Sequence, residues 1–110
     1  MIGSLCVIVR RPKGEELSTL GIRTAWATHM AAIDTKLLYV GDGVYNLLPH
    51  PGYNTQMLLS YLKEGGAAYA VQSHLAERGL GVEELVEGVE VVADAEVADL
   101  VAECEASTTF

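Results

Sequence analysis

The stretch LLYVGDGVYNLLPH, residues 37–50, contains the clearest change of structure in the chain. A run of apolar, β-favouring residues ends abruptly in Gly41-Asp42-Gly43, and a second apolar segment with further turn residues follows. A short continuous apolar run bounded by turn residues is typical of a strand covered on both faces of a parallel sheet. Residues 36–40 are therefore predicted to form a buried strand that ends at the Gly-Asp-Gly turn.

The same alternation of buried strand and helix extends over the rest of the chain. Residues 4–9 (SLCVIV) read as a first strand, and the acidic pair Glu15-Glu16 opens a helical segment that reaches about Ile33. Further strands are predicted at residues 67–71, 89–93 and 107–110, and further helices are predicted with Asn54, Ser73 and Asp94 as N-terminal caps. Strands joined to helices by short connections predict one α/β domain over residues 1–110, Rossmann-like, with three α/β/α layers and a mostly parallel sheet of about five strands.

Composition and charge exclude several classes of function. The chain has 110 residues, is 50% hydrophobic and carries a net charge of −8, so it can bury a core, and direct binding to nucleic acid is not expected. No segment approaches the length of a membrane span, and the apolar residues 4–9 have no basic segment before them. Neither a membrane anchor nor a signal peptide is predicted, and the expected location is cytoplasmic.

Two cysteines supply the candidate thiols. Cys6 lies inside the first predicted strand and is interpreted as a core residue. Cys104 falls on the buried stripe of the last helix, between Glu103 and Glu105, whose negative charges would raise a thiol pKa. Cys104 can be a packing residue or a reactive thiol that carries a persulfide. With no Cys-x-x-Cys and no His-x-x-x-His spacing, no metal site is expected.

Gly41, Asp42 and Gly43 allow two interpretations. They follow a parallel strand at the edge where α/β sheets bind ligands, so Asp42 could act as an acid, a base or a ribose-binding carboxylate. Gly-Asp-Gly is also ordinary turn chemistry, in which Asp42 caps the segment that follows. The glycine spacing matches neither a dinucleotide loop nor a P-loop, so no cofactor is predicted.

The helical segment 15–33 has two apolar faces when its residues are placed at about 100° intervals. The first face carries Leu17, Leu20, Thr24, Ala27 and Ala31, and the nearly opposite face carries Ile22, Trp26, Met30 and Ile33. One face can pack on the sheet, and the other is covered either by neighbouring helices or by another subunit. We predict an oligomer that forms through Ile22, Trp26 and Met30.

The order of elements and three stretches together resemble the small DsrE/DsrF/DsrH sulfur-relay proteins, also called TusD, TusC and TusB. The stretches are VIVRRPKGEELSTLGIRTAWA (residues 7–27), LLYVGDGVYNLL (residues 37–48) and AYAVQSHLAERGL (residues 68–80). The tail CEASTTF is similar to the short C-terminal strand of the DsrF and DsrH branches. The resemblance covers nearly the whole chain, and the Asp-Gly-Val segment is its most specific part.

The resemblance implies a subunit of a cytoplasmic oligomer that transfers persulfide sulfur, either toward thiolation of the tRNA wobble uridine or toward sulfur oxidation. In DsrE-type chains the acceptor cysteine lies on the strand before a short Arg-Gly helix. By offset from Arg78-Gly79 the matching position here is Val71, and residues 15–33 also lack the first-helix cysteine of the DsrH branch. The resemblance therefore implies a non-catalytic DsrF- or DsrH-type partner in a homo- or hetero-oligomer with DsrE-like paralogues.

Two other functions stay open from the sequence. The chain can be a sulfurtransferase that uses Cys104 as a relocated acceptor. It can also be a stand-alone homo-oligomer that binds a small anion or nucleotide at Gly41–Gly43.

Overall fold

The computed structural model describes residues 2–110, so Met1 of the predicted domain lies outside the described part of the chain. It contains five strands, β1 (Ser4–Val9), β2 (Asp34–Tyr39), β3 (Ala67–Val71), β4 (Glu90–Val92) and β5 (Ala106–Thr109). It contains four α-helices, α1 (Glu16–Met30), α2 (Tyr53–Lys63), α3 (Gln72–Glu77) and α4 (Asp94–Ala102). Two 3₁₀ helices occupy Gly41–Leu47 and Val82–Glu84. Among residues 2–110, no helix combines the length and apolar character needed to cross a bilayer.

The five strands form one sheet in the order β4-β3-β2-β1-β5, and every neighbouring pair is parallel. The predicted α/β class, with a parallel sheet of five strands, is confirmed. The strand at the centre, β2, pairs with β1 from Ser4↔Asp34 to Val9↔Tyr39 and with β3 from Lys36↔Ala67 to Tyr39↔Ala70. The carboxyl ends of β2 and β3 therefore lie side by side, which brings the segments after them together.

The two faces of the sheet are covered by different helices. On the first face Leu37 and Tyr39 pack with α1 and α2, and the largest buried cluster of the protein forms there. On the second face Leu38 packs with Leu100 of α4 in a smaller cluster. This alternation follows from the strand geometry, in which successive side chains point to opposite faces. The result is the predicted three-layer arrangement.

The predicted helix caps are wrong in position. The observed N-cap residues are Gly52, Val71 and Ala93, which lie one or two positions before the predicted caps. Asn54 instead lies in the first turn of α2. Its side-chain amide donates to Ser18 Oγ at 3.0 Å, and its oxygen accepts from Thr19 Oγ1 at 2.8 Å. The Asn54 side chain thus joins α2 to α1 rather than closing a helix end.

The predicted interface residue Ile22 is buried within the single chain, so that part of the interface prediction is corrected. Ile22 is 1% exposed and belongs to the cluster under α1. The face of α1 that meets the sheet consists of Ser18, Gly21, Ile22 and Ala25. A Cβ on Gly21 would collide with the side chain of Val9, so the glycine lets α1 approach β1 closely. The small residues of this stripe, rather than the large apolar ones, select the buried face.

Candidate functional site

The carboxyl-terminal edge of the sheet brings together the two segments that the sequence singled out. The Gly41–Leu47 helix leaves β2, and α3 leaves β3 directly at Val71. The backbone N–H of Gly41 donates to Nδ1 of His74, a residue of α3, at 2.9 Å. This bond fixes the neutral imidazole in the tautomer that carries its proton on Nε2.

Asp42 and Arg78 make a second link between the same two segments. Nε of Arg78 donates to Oδ1 of Asp42 at 3.0 Å, and Nη1 of Arg78 donates to the backbone oxygen of His74 at 3.0 Å. The Arg78 side chain is 21% exposed and the Asp42 side chain is 61% exposed. Asp42 therefore has a structural partner, and its charge is matched by a guanidinium rather than left free at the strand end.

Gly43 has a packing role that is independent of any ligand. A Cβ at this position would collide with the backbone oxygen of Val9, and the Gly43 N–H donates to the oxygen of Val40 at 2.8 Å. The turn after β2 is thereby pressed against the end of β1. Gly41 has φ of 52°, in the left-handed region that glycine adopts at little cost. Structural roles account for all three residues of Gly-Asp-Gly, and ligand binding at this turn stays a prediction.

Val71 occupies the position that the family resemblance assigns to an acceptor cysteine. It is the last residue of β3, is 2% exposed and packs in the cluster on the α4 face. Its backbone precedes α3, which carries His74 and is followed by Arg78. The chain thus runs from this position straight into the segment that carries His74, but an isopropyl group offers no nucleophile.

The two thiols lie elsewhere, toward the amino-terminal edge of the sheet. Cys6 is in β1 with 0% exposure, and Cys104 follows the end of α4 and is partly exposed. The chain then enters β5, where Ala106 pairs with Leu5. Cys104 is therefore at the opposite end of the strands from Gly41–Gly43, and the structure does not bring the two sets of candidates together.

The surroundings of both thiols raise their pKa values. Burial is the main cause for each, and it raises the pKa of Cys6 from 9.0 to about 11. The ammonium of Lys36 acts in the opposite direction on both thiols, but it is itself bound by Glu103 at 2.6 Å. Only a thiolate is a strong nucleophile, so only a small fraction of either cysteine is in the reactive form at neutral pH.

An apolar contact surface, which we define as Leu20, Trp26, Met30, Tyr53 and Met57, extends across α1 and α2. Leu20 is 37% exposed, Tyr53 52% and Met30 57%. A shallow cavity of about 540 Å³ lies between the two helices and is lined by Trp26 and Met57, among others. Two of the predicted interface residues, Trp26 and Met30, thus remain at the surface of the single chain, in company with α2 residues that the sequence did not indicate.

The polar groups around Arg78 were not predicted from the sequence, although a signal for them is present there. The segment AYAVQSHLAERGL predicts the strand at residues 67–71 and the helix capped by Ser73, but it indicates no partner for Arg78. Because consecutive parallel strands end at the same edge, an acidic residue after β2 and a basic residue after β3 are expected neighbours. The hydrogen bond between Gly41 and His74 joins a backbone N–H to an imidazole rather than two opposite charges, so the sequence contains no signal that predicts it. Among residues 2–110, no three His, Cys, Asp or Glu side chains converge as metal ligands.

The fold is similar to those of several solved structures, among them the following two. The YchN protein of E. coli superimposes with a TM-score of 0.84 at 26% sequence identity, covering 100% of both chains. MTH1491 of Methanobacterium thermoautotrophicum, a protein of unknown function, superimposes with a TM-score of 0.80 at 19% identity, covering 97% of this chain and 98% of that one. No curated protein sequence matches the chain.

The resemblance noted from the sequence is confirmed by the family comparison. The model of the DsrE/DsrF-like family matches residues 3–110, which includes the Gly-Asp-Gly turn, the Val71 position and the tail. The chain belongs to the DsrE/DsrF-like family.

Proposed function

We propose that this chain is a non-catalytic, oligomeric subunit of a cytoplasmic persulfide-transfer system that serves either tRNA wobble-uridine thiolation or sulfur oxidation. Membership of the DsrE/DsrF-like family, which is associated with sulfur relay, supports the pathway. The observation that carries the non-catalytic role is Val71, a buried aliphatic residue at the strand end where the acceptor thiol is expected. In this proposal a DsrE-like paralogue supplies the missing cysteine.

The edge beside Val71 has the features of a structural element rather than a reaction site. Asp42, His74 and Arg78 are engaged with each other or with the backbone, so their hydrogen-bonding groups stabilise the turn. The raised pKa of Cys104 also counts against its use as a relocated persulfide acceptor. Both observations favour a partner subunit over the two alternatives, a Cys104 sulfurtransferase and a small-ligand module.

Co-purification tests the proposed role. A tagged copy of the chain, expressed in its source cell, should recover a paralogue with a cysteine at the position matching Val71. Incubation of the purified complex with a cysteine desulfurase and cysteine should add sulfur to the paralogue and none to this chain, as read by intact mass. A pure homo-oligomer, or added sulfur on Cys104, would contradict the proposal.

The apolar contact surface supplies the contact with other subunits in this proposal. Its aromatic and methionine side chains are the types enriched at protein interfaces, and a patch of this kind on a monomer would be exposed to water. Met30→Asp places a charge within it, and we expect the assembly to dissociate, with a smaller sedimentation coefficient. Val82→Asp is the matched control, because Val82 is 59% exposed, Met30 is 57% exposed, and Val82 lies outside this surface.

Trp26→Asp should have the same effect as Met30→Asp, although Trp26 also packs on the core and can cost stability. Retention of the native sedimentation coefficient by Met30→Asp and by Trp26→Asp would exclude this surface as the interface.

A further inference from the structure

Cys6 and Cys104 lie on the same face of the sheet, although 98 positions separate them in the sequence. Cys6 is fully buried in β1, and Cys104 packs against the cluster to which Cys6 belongs. Both side chains therefore contribute to the same packed cluster. Both are free thiols in the structure.

The chain around Cys104 is held over β1 by two contacts. The backbone N–H of Glu105 donates to Oγ of Ser4 at 2.8 Å, and Lys36 binds Glu103 at 2.6 Å. Lys36 is also the register partner of Cys6 on the neighbouring strand. One sequence neighbour of Cys104 is thus tied to Ser4 in the strand of Cys6 and the other to Lys36 in the adjacent strand β2, which holds Cys104 over this part of the sheet.

We propose that Cys6 and Cys104 are a dithiol pair that closes to an intramolecular disulfide, with Cys104 as the entry thiol. The difference in accessibility sets the order of the steps, since an external disulfide can reach Cys104 but not Cys6. This chemistry is independent of the proposed relay role, because it uses neither the Val71 position nor a partner subunit.

The reaction balances with a low-molecular-weight disulfide, RSSR, as the oxidant. The Cys104 thiolate attacks one sulfur of RSSR, which gives the mixed disulfide Cys104–S–SR and releases RSH after protonation. The Cys6 thiolate then attacks Sγ of Cys104, which forms the Cys6–Cys104 bond and releases the second RSH. The two thiols lose two electrons and two protons in total, and RSSR is reduced to two RSH. Excess thiol reverses both steps.

The closed disulfide would join the centre of the sheet to the end of α4. A bond between residues so far apart in sequence restricts the unfolded chain strongly, so the oxidised protein should unfold at a higher denaturant midpoint than the reduced protein. The partly exposed position of Cys104 keeps the bond accessible to reducing thiols. The pair can therefore form a reversible disulfide crosslink, here called the covalent latch, between β1 and the end of α4.

Intact mass spectrometry after incubation of the folded protein with glutathione disulfide and an acid quench tests the pair. The native chain should lose two hydrogen atoms and retain no glutathione. Cys6→Ala should accumulate one glutathione adduct on Cys104, because nothing displaces it. Cys104→Ser should stay unmodified, because the remaining thiol is buried.

The proposed disulfide is contradicted if the native chain stays fully reduced, or if it retains a glutathione adduct as Cys6→Ala does. It is also overturned if the loss of hydrogen comes from a disulfide between two chains, which non-reducing electrophoresis detects. Cys104→Ser keeps the core intact, so the test does not depend on how well Cys6→Ala folds. Thiol addition should return both the mass and the denaturant midpoint to those of the reduced protein.

Discussion

At the scale of the residue, Gly43 shows how a turn that resembles a ligand site can be required by packing alone. The backbone of β1 passes so close to Gly43 that a single added carbon meets the oxygen of Val9. Gly41, two residues earlier, has open space around its Cα apart from the distant Arg78 guanidinium and needs glycine only for its φ of 52°. The two positions of this turn therefore require glycine for different physical reasons, close packing at Gly43 and a positive φ at Gly41.

This difference predicts unequal costs of substitution. Gly43→Ala should lower the free energy of unfolding by about 2–4 kcal/mol, because the backbone of Val9 cannot move away from the added methyl group as a flexible side chain could. Gly41→Ala should cost about 1 kcal/mol, the usual penalty for alanine in the left-handed region. Urea denaturation of both variants measures the two values. Equal costs would show that β1 and the turn separate easily and that the close approach is unimportant.

For the ion pair of Asp42 with Arg78 we likewise expect unequal losses of stability when one partner or the other is replaced. Asp42→Ala removes an exposed partner and should cost less than about 1 kcal/mol. Arg78→Met should cost more, because Arg78 is mostly buried and also donates to the His74 backbone. The double variant, compared with the two single ones in urea denaturation, isolates the coupling of the pair. A larger loss for Asp42→Ala than for Arg78→Met would contradict this assignment.

At the scale of the element, α1 shows which features of the sequence select the buried face of a helix. The stripe that meets the sheet contains Ser18, Gly21, Ile22 and Ala25, and only Ile22 is large and apolar. Leu17 and Leu20, on the other side, remain 39% and 37% exposed. A helix that must pass close to a strand needs small side chains at the crossing, and average hydrophobicity does not report that need.

We therefore expect Ile22→Ala to destabilise the protein much more than Leu20→Ala. Ile22 leaves a cavity in the main core, which costs about 2–4 kcal/mol, whereas a partly exposed Leu20 should cost less than about 1 kcal/mol. Chemical denaturation should be repeated at several protein concentrations, because any contribution of Leu20 to an interface would depend on concentration. A larger cost for Leu20 at low concentration would mean that the other face of α1 is buried.

The elements themselves were largely predictable, and the contacts between their ends were not. The predicted strand at residues 4–9 agrees with β1, and the predicted strand at residues 67–71 agrees with β3. Both are continuous apolar runs, so burial on two faces leaves a clear pattern. Asn54, Ser73 and Asp94 look like caps because short polar side chains favour helix starts, but tertiary contacts compete for them. Asp94, for instance, accepts from the backbone N–H of Ser73 at 3.4 Å.

The candidate site was predictable only in part, for a related reason. The turn at Gly41–Gly43 follows from local sequence, and the Val71 position follows from the resemblance to the family. The proximity of Cys6 and Cys104 depends on how α4 crosses the second face and returns into β5, which no local pattern encodes. Residues that are distant in sequence become a site only through topology.

At the scale of the whole molecule, the sheet separates two kinds of chemistry at its two ends. The carboxyl-terminal edge holds the Asp42–Arg78 pair and the thiol-free Val71 position. The amino-terminal edge of the α4 face holds both cysteines and Lys36. Val71 shares the cluster on the α4 face with Cys6, but no contact among the described residues joins the proposed dithiol pair to the turn after β2. The relay role and the covalent latch can therefore be tested separately on one protein.

Three buried acidic groups in the core predict that the whole fold loses stability at alkaline pH. Burial raises the pKa values of Cys6, Tyr39 and Tyr61 above those of the unfolded chain, and for Cys6 the change is from 9.0 to about 11. Below pH 9 the Cys6 thiol is protonated in both states and contributes no dependence on pH. Between pH 9 and 11 the unfolded chain releases the thiol proton while the folded chain retains it, so the free energy of unfolding falls.

Cys6→Ala isolates the thiol from the other groups that titrate in this range. A change of two pKa units corresponds to about 2.7 kcal/mol, so the native chain should lose up to about that much more stability than Cys6→Ala between pH 8 and 11. Lys13, whose pKa is lowered by burial, acts in the opposite direction, but it is present in both proteins and cancels in the difference. Urea denaturation at a series of pH values, in the presence of a reducing agent that keeps Cys6 and Cys104 as thiols, measures the two curves. Parallel curves over this range would show that water reaches Cys6 in the folded protein and that the α4 face is less tightly closed than its packing indicates.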